Sequence, residues 1–142
     1  MFDFTNCSAL YVSNGRSVRI VNGTPHAITF KGENGDFTVP SSVPVGEKTG
    51  PAVLSAKQVS VSASDDGLFV KTEFLPTPEG QDIIDAIRSQ FANEDAKTVI
   101  VGSMVAAQAY PGQVVQMCPA QGFEHVPPAE KRMDPFKFSV FG

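Results

Sequence analysis

The chain has 142 residues, a formal net charge of −4 and a hydrophobic content of 42%, values typical of one globular domain with one apolar core. We therefore expect a single domain over residues 1–142 that folds without a stabilising disulfide or metal ion. The eleven Lys and Arg residues are scattered along the chain, whereas nucleic-acid binding needs several convergent cations, so no nucleic-acid partner is expected.

No apolar run approaches the roughly 18 residues of a transmembrane helix, and the N-terminus lacks the basic and apolar regions of a secretory signal. We expect no membrane partner and a cytoplasmic location. Cys7 and Cys118 stand far apart and form no CxxC spacing, which predicts reduced thiols, one of them buried. A long-range disulfide is the alternative and would need an oxidising compartment.

The first half of the chain has the pattern of β-structure. Short apolar runs alternate with turn signals such as Asn14-Gly15, which is typical of a β-hairpin. The predicted strands here are residues 10–12, 18–21, 27–30, 37–39, 58–64 and 68–75. Residues 40–52 contain three prolines and two glycines, and we predict an ordered loop without secondary structure there.

A helix is the clearest element of the second half. Thr77 is a suitable N-cap, Pro78 fits the first helical position and Glu79 favours the positive end of the helix dipole. An apolar stripe then follows at helical spacing, formed by Ile83, Ile84, Ile87 and Phe91.

The remaining elements are a strand at 97–101, a short helix at 104–110, and strands at 114–117 and 136–140. The predicted fold class is α+β, with a mixed, mainly antiparallel sheet, one amphipathic helix and one short helix. The Phe-rich ends of the chain are expected to dock, on their own domain or on a neighbour.

The first candidate site is the run Asn22-Gly23-Thr24-Pro25-His26 between two predicted strands. One interpretation is a structural turn, because Asn bonds the backbone two residues on and Pro fixes the exit. The other is a binding site, in which Asn22, Thr24 and His26 direct hydrogen-bonding groups at a ligand.

The second candidate is Ser103, at the point where the strand 97–101 enters the short helix. Ser103 is either the N-cap of that helix or part of an anion site built on the free N–H groups there. The GxSxG and P-loop motifs are absent. The His, Cys and acidic residues match no metal-site spacing, so no metal and no cofactor is expected.

At these two candidates the chain resembles a family of small bacterial and bacteriophage proteins. That family has an Asn-Leu-Thr-Pro-His signature after an N-terminal strand, and later an Ile-Val-Ser strand that enters a helix rich in Val and Ala. The matching residues here are 21–28 and 99–109, with Gly23 in place of the usual Leu. The family has no assigned activity, so the resemblance implies a phage or bacterial origin and no reaction.

Three functions remain open at this point. The leading hypothesis is a non-enzymatic binder, possibly homo-oligomeric, that holds a small polar or anionic, nucleotide-like ligand with Asn22, Thr24, His26 and Ser103. The first alternative is a virion structural or decoration protein that docks on neighbouring subunits through its Phe-rich ends. The second is a small hydrolase, in which Ser103 and His26 form a triad with an Asp.

Overall fold

The computed structural model describes residues 3–45, 48–51, 54 and 56–141. Within these residues the helices are α1 (Pro78–Gln90) and α2 (Met104–Ala109), with single 3₁₀ turns at Thr5–Cys7 and Pro128–Glu130. The strands are β1 (Ser8–Ser13), β2 (Arg16–Asn22), β3 (Ile28–Gly32), β4 (Gly35–Val39), β5 (Ser42–Val45), β6 (Lys48–Pro51), β7 (Ala56–Ser62), β8 (Val70–Pro76), β9 (Lys97–Val101), β10 (Gln116–Pro119) and β11 (Met133–Ser139).

The strands form two larger sheets and two separate hairpins. One sheet has the order β1-β2-β9 and the other β10-β11-β3-β4, while β5-β6 and β7-β8 are two-stranded. The pairs β2–β9 and β11–β3 are parallel and the other pairs are antiparallel. The predicted α+β class, with a mixed and mainly antiparallel arrangement, one amphipathic helix and one short helix, is confirmed.

The prediction of an irregular loop over residues 40–52 is wrong for the part that the structure describes. Residues 42–45 and 48–51 pair as the antiparallel strands β5 and β6. Proline removes a hydrogen-bond donor, but each strand of a two-stranded hairpin has an outer edge where no donor is needed. Pro44 and Pro51 are therefore compatible with strand pairing, and proline content alone does not exclude it.

Helix α1 begins and packs as its sequence predicts. The Thr77 hydroxyl oxygen accepts a hydrogen bond from the Gly80 N–H at 3.0 Å, which satisfies one donor of the first turn. Ile84 and Ile87 are fully buried, so the predicted apolar stripe is the face that packs on the core.

The core consists of two apolar clusters. The first joins α1 and α2 to β2 and β9 and includes Phe4, Ile84, Ile87, Ile100 and Tyr110. The second lies between the two larger sheets and includes Val18, Ile20, Ile28, Phe30 and Val39.

The aromatic residues near both ends dock on their own chain. Phe4 is fully buried in the first cluster and Phe141 packs against that cluster, whereas Phe136 and Phe138 pack against the second. Phe2 lies outside the described residues. Phe4, Phe136, Phe138 and Phe141 thus contact their own chain, and the virion alternative stays a prediction.

The β7–β8 hairpin is largely exposed toward its turn. Ala56 and Phe74, at its base, pack against the first cluster. Toward its turn, by contrast, Leu68, Phe69 and Val70 are 72%, 63% and 60% exposed. No helix among the described residues is long and apolar enough to cross a membrane.

Candidate functional site

The turn after β2 is built around the buried side chain of Asn22. Its Nδ2 donates to the backbone oxygens of His26 at 2.8 Å and Val39 at 3.1 Å. Its Oδ1 accepts from the backbone N–H of Thr24 at 2.9 Å and from the Thr24 hydroxyl at 2.6 Å. The amide thus uses both of its donors and both lone pairs of its oxygen within the protein.

Thr24 is also engaged in this turn. Its buried hydroxyl lies 2.6 Å from Asn22 Oδ1 and 2.8 Å from the His26 carbonyl oxygen, so its single proton is shared between internal acceptors. Of the three polar residues predicted here, His26 alone has an exposed side chain. The arrangement fits the structural-turn interpretation of Asn22 and Thr24.

Ser103 occupies the N-cap position of α2. Its hydroxyl oxygen accepts a hydrogen bond from the Ala106 N–H at 3.2 Å, which is the ordinary function of an N-cap serine. The residue is exposed. Among the described residues no hydrogen bond joins Ser103 to His26, so the nucleophile–base contact that a hydrolase needs is not formed.

The two predicted motifs do meet through their backbones. Strands β2 and β9 are parallel with Asn22 opposite Val101, and the Gly23 N–H donates to the Val101 carbonyl at 2.7 Å. Both strands therefore end at the same sheet edge, which is where α/β proteins commonly bind ligands.

Leu54 closes that edge. A Cβ atom at Gly23 would lie 2.8 Å from the Val101 carbonyl oxygen and 3.0 Å from Leu54 Cδ1, closer than side-chain carbons approach. Leu54 is 4% exposed and occupies the space that a larger residue at position 23 would need. None of Asn22, Thr24, His26 and Ser103 lines the open groove described next, and a binding site formed by these four stays a prediction.

An open groove of about 510 Å³ lies elsewhere, where the turns of two hairpins approach the start of β11. Its walls include Arg16 just after the β1–β2 turn, Lys31 and Glu33 at the β3–β4 turn, and Asp134 on β11. The volume is within the range of small-molecule sites. Sequence reasoning missed this groove, because its walls come from four segments that are far apart along the chain.

Aromatic rings form one side of the groove. The Tyr11 ring stacks on Phe37, with centroids 5.1 Å apart and planes at 18°, and it also contacts Phe136 at 5.1 Å. Phe37 stacks in turn on the fully buried Phe30. This chain of contacts connects the groove to the second cluster and fixes the positions of its rings.

Two cationic side chains in the groove wall lie over aromatic faces. The Arg16 guanidinium carbon is 4.4 Å from the Phe136 ring centroid, and Lys31 Nζ is 5.1 Å from the Phe123 centroid. A cation in this position is held by the ring quadrupole while its N–H groups remain available. Within the described residues, neither Arg16 nor Lys31 forms an ion pair with a carboxylate.

The two acidic groups in the wall make other hydrogen bonds. The Glu33 carboxylate accepts from the Ser13 hydroxyl, and the Glu33 backbone N–H donates to the Tyr11 hydroxyl at 2.8 Å. Asp134 Oδ1 accepts from the Phe136 backbone N–H at 2.9 Å. These carboxylates help to fix the loops, and among the described residues neither of them forms an ion pair with Arg16 or Lys31.

Nucleophilic and metal chemistry have little support in the described residues. Both cysteines are free; Cys7 is buried and Cys118 partly exposed. Burial raises the pKa of the Cys7 thiol to about 11, so that thiol is protonated and unreactive near neutral pH. No group of three or more His, Cys, Asp or Glu side chains is placed to hold a metal ion in the part of the chain that is described.

Comparison of this chain with protein-family models, with curated proteins and with solved structures finds no match. The groove and the hairpins are therefore the features from which a function can be inferred.

Proposed function

We propose that this chain is a non-enzymatic binding protein for a small anion that carries a flat ring, such as a nucleoside monophosphate. The observation on which this depends is the groove, where Arg16 and Lys31 lie over aromatic faces and have no carboxylate partner among the described residues. A phosphate group needs a cation of this kind, and Tyr11 and Phe136 offer ring surfaces beside it.

The net charge of −4 does not oppose this proposal, because the charged groups in the wall determine the potential of a small groove more than the molecule's net charge does. The two carboxylates in that wall, Glu33 and Asp134, accept hydrogen bonds from Ser13 and from the Phe136 N–H. The likeness to small phage and bacterial proteins supports an accessory role in a bacterial cell. Free thiols are consistent with a reducing cytoplasm, which is the location we propose.

Calorimetric titration of the folded protein tests the proposal, with adenosine monophosphate, adenosine and inorganic phosphate as probes. We expect Arg16→Gln and Lys31→Gln each to weaken binding of the monophosphate by about tenfold or more, since each removes a charge-assisted contact. Lys137→Gln, at an exposed position on β11 outside the groove, is the matched control and should bind as the unsubstituted protein does.

Absence of heat with all three probes would contradict the proposal, as would equal weakening by Lys137→Gln. Binding of adenosine as tight as that of its monophosphate would show that the cations make no contribution. Retained secondary structure by circular dichroism ensures that a loss of binding is not a loss of folding.

An assembly function is the second candidate, and the exposed apolar side chains of the β7–β8 hairpin favour it. Mass spectrometry of purified phage particles from a producing host separates the two. A virion component is present at stoichiometric levels, whereas a ligand-binding accessory protein is absent.

A further inference from the structure

The β7–β8 hairpin has outer edges that pair with no other described strand. Its base is held by Ala56 and Phe74 on the first cluster and by contacts with α2, whereas its distal half extends from the core. An isolated two-stranded hairpin is marginally stable in water, and an unpaired edge is a template for another strand. Both properties call for a partner strand.

The hydrogen-bonding pattern shows which groups β8 directs outward. The Ala63 N–H donates to the Phe69 carbonyl at 2.9 Å, which places these two residues at a hydrogen-bonded position, while the Phe69 N–H donates to the Ser64 hydroxyl at 3.1 Å. Bonded and non-bonded pairs alternate along an antiparallel ladder, and the register places Lys71 opposite Val61 and Glu73 opposite Val59 as the next bonded pairs. Val70, Thr72 and Phe74 therefore direct their N–H and C=O groups away from β7.

The sequence from Phe69 to Leu75, which includes most of β8, is nearly palindromic in its chemistry about Thr72. Reading outward from that residue, Lys71 mirrors Glu73, Val70 mirrors Phe74 and Phe69 mirrors Leu75. Phe69, Val70 and Leu75 are exposed apolar side chains. Lys71 and Glu73 form no ion pair within the described residues, and in their own hairpin each is opposite a valine.

We propose that β8 pairs antiparallel with β8 of a second copy of this chain, about a two-fold axis through Thr72. The two hairpins then form one four-stranded sheet across a symmetric dimer. The bonded pairs are Thr72 with Thr72 of the partner subunit and Val70 with Phe74 of the partner subunit, which uses the groups directed outward. Lys71 lies opposite Glu73 of the partner subunit, at a non-bonded position where side chains are closest.

A second copy is the occupant that this edge fits, because a symmetric pairing brings every charge opposite its complement and every apolar residue opposite another. A one-residue slip would put the side chains of one strand on the opposite faces. This inference does not depend on the proposed function, since no residue of β8 lines the groove.

Sedimentation equilibrium of the intact chain tests the dimer with two charge reversals. K71E makes both mirrored positions acidic and E73K makes both basic, so each variant has two like-charge pairs across the axis. We expect each alone to weaken dimerisation by about tenfold or more. An equimolar mixture should form a heterodimer at the wild-type level, because every charge then lies opposite its complement.

Thr72→Pro and Val12→Ser give a second, independent comparison. Proline at position 72 removes an N–H that points outward, so it should abolish the dimer and leave the hairpin paired. Val12 on β1 is 61% exposed, similar to Val70, and its substitution should leave the dimer unchanged. Should Thr72→Pro unfold the hairpin, the charge-reversal mixture still decides.

Three results would overturn the proposal. The first is a wild-type protein that stays monomeric up to submillimolar concentration. The second is a mixture of K71E and E73K that associates no better than either variant alone. The third is an equal loss of association on Val12→Ser, which would place the contact at the β1 edge.

Discussion

Asn22 shows which properties of a single residue can be predicted from the sequence and which depend on the fold. Its place in a Gly- and Pro-containing turn between strands is readable in the sequence, and so is its polarity. Whether its amide points at a ligand or at the backbone depends on Val39, which β4 brings to it from 17 residues away. The structure directs the amide inward, where it joins the end of β2 to β4.

We therefore predict that Asn22→Ala destabilises the fold. The substitution leaves the buried Thr24 N–H without its acceptor and removes the hydrogen bonds that Asn22 donates to the carbonyls of His26 and Val39. The expected loss is about 2–4 kcal/mol in the free energy of unfolding, measured in urea. Asn93→Ala, at an exposed position, should change it by less than about 0.5 kcal/mol, and equal effects of the two substitutions would contradict the account.

At the scale of elements, capping residues, apolar periodicity and turn residues predicted the features that depend on neighbouring residues in the sequence. The N-cap and apolar stripe of α1 and the Asn14-Gly15 turn are confirmed, with Asn14 and Gly15 both at positive φ. The prolines of residues 40–52 led to the wrong prediction of an irregular loop, because the outer edges of a hairpin tolerate proline. The alternation in β7 predicted a half-buried strand. The local sequence does not show, however, that the distal half of the β7–β8 hairpin extends beyond the apolar core.

One ion pair links two of these elements. The Arg19 side chain on β2 donates to both carboxylate oxygens of Glu94, at 2.9 and 2.5 Å, just beyond the end of α1. Its guanidinium carbon also lies 4.8 Å from the Phe91 ring centroid. Hydrogen bonding from Arg19 lowers the pKa of Glu94 below its ordinary value.

This shift predicts an acid dependence of stability. The folded-state pKa is lower than the unfolded value of about 4.3, so the ion pair stabilises the fold above that value. The contribution is lost as pH falls through the folded pKa. Glu94→Gln should therefore unfold in less urea than wild type at pH 6, and the difference should shrink toward pH 2.

Glu130→Gln, at an exposed carboxylate, is the control for this measurement and should follow the wild-type curve throughout. A difference between Glu94→Gln and wild type that stays constant with pH would show that the loss comes from packing and not from charge.

At the scale of the whole molecule, the groove exists because the two larger sheets pack with their hairpin turns at the same end. Arg16 belongs to one sheet, Lys31 to the other, and Phe136 comes from the last strand. No local pattern connects these residues, since the register between β11 and β3 follows from core packing in the second cluster. The sequence indicated instead a site at the end of β2, because several polar residues follow one another there. In the structure the buried side chain of Leu54 fills the space beside that turn.

Amide chemical shifts recorded during titration with adenosine monophosphate test the central claim most directly, because they show where the ligand binds. We expect saturable shifts in the β1–β2 turn, the β3–β4 turn and the first residues of β11, and we expect them to disappear with Arg16→Gln. Shifts confined to Asn22, Thr24, His26 and Ser103, or no shifts at all, would contradict that claim.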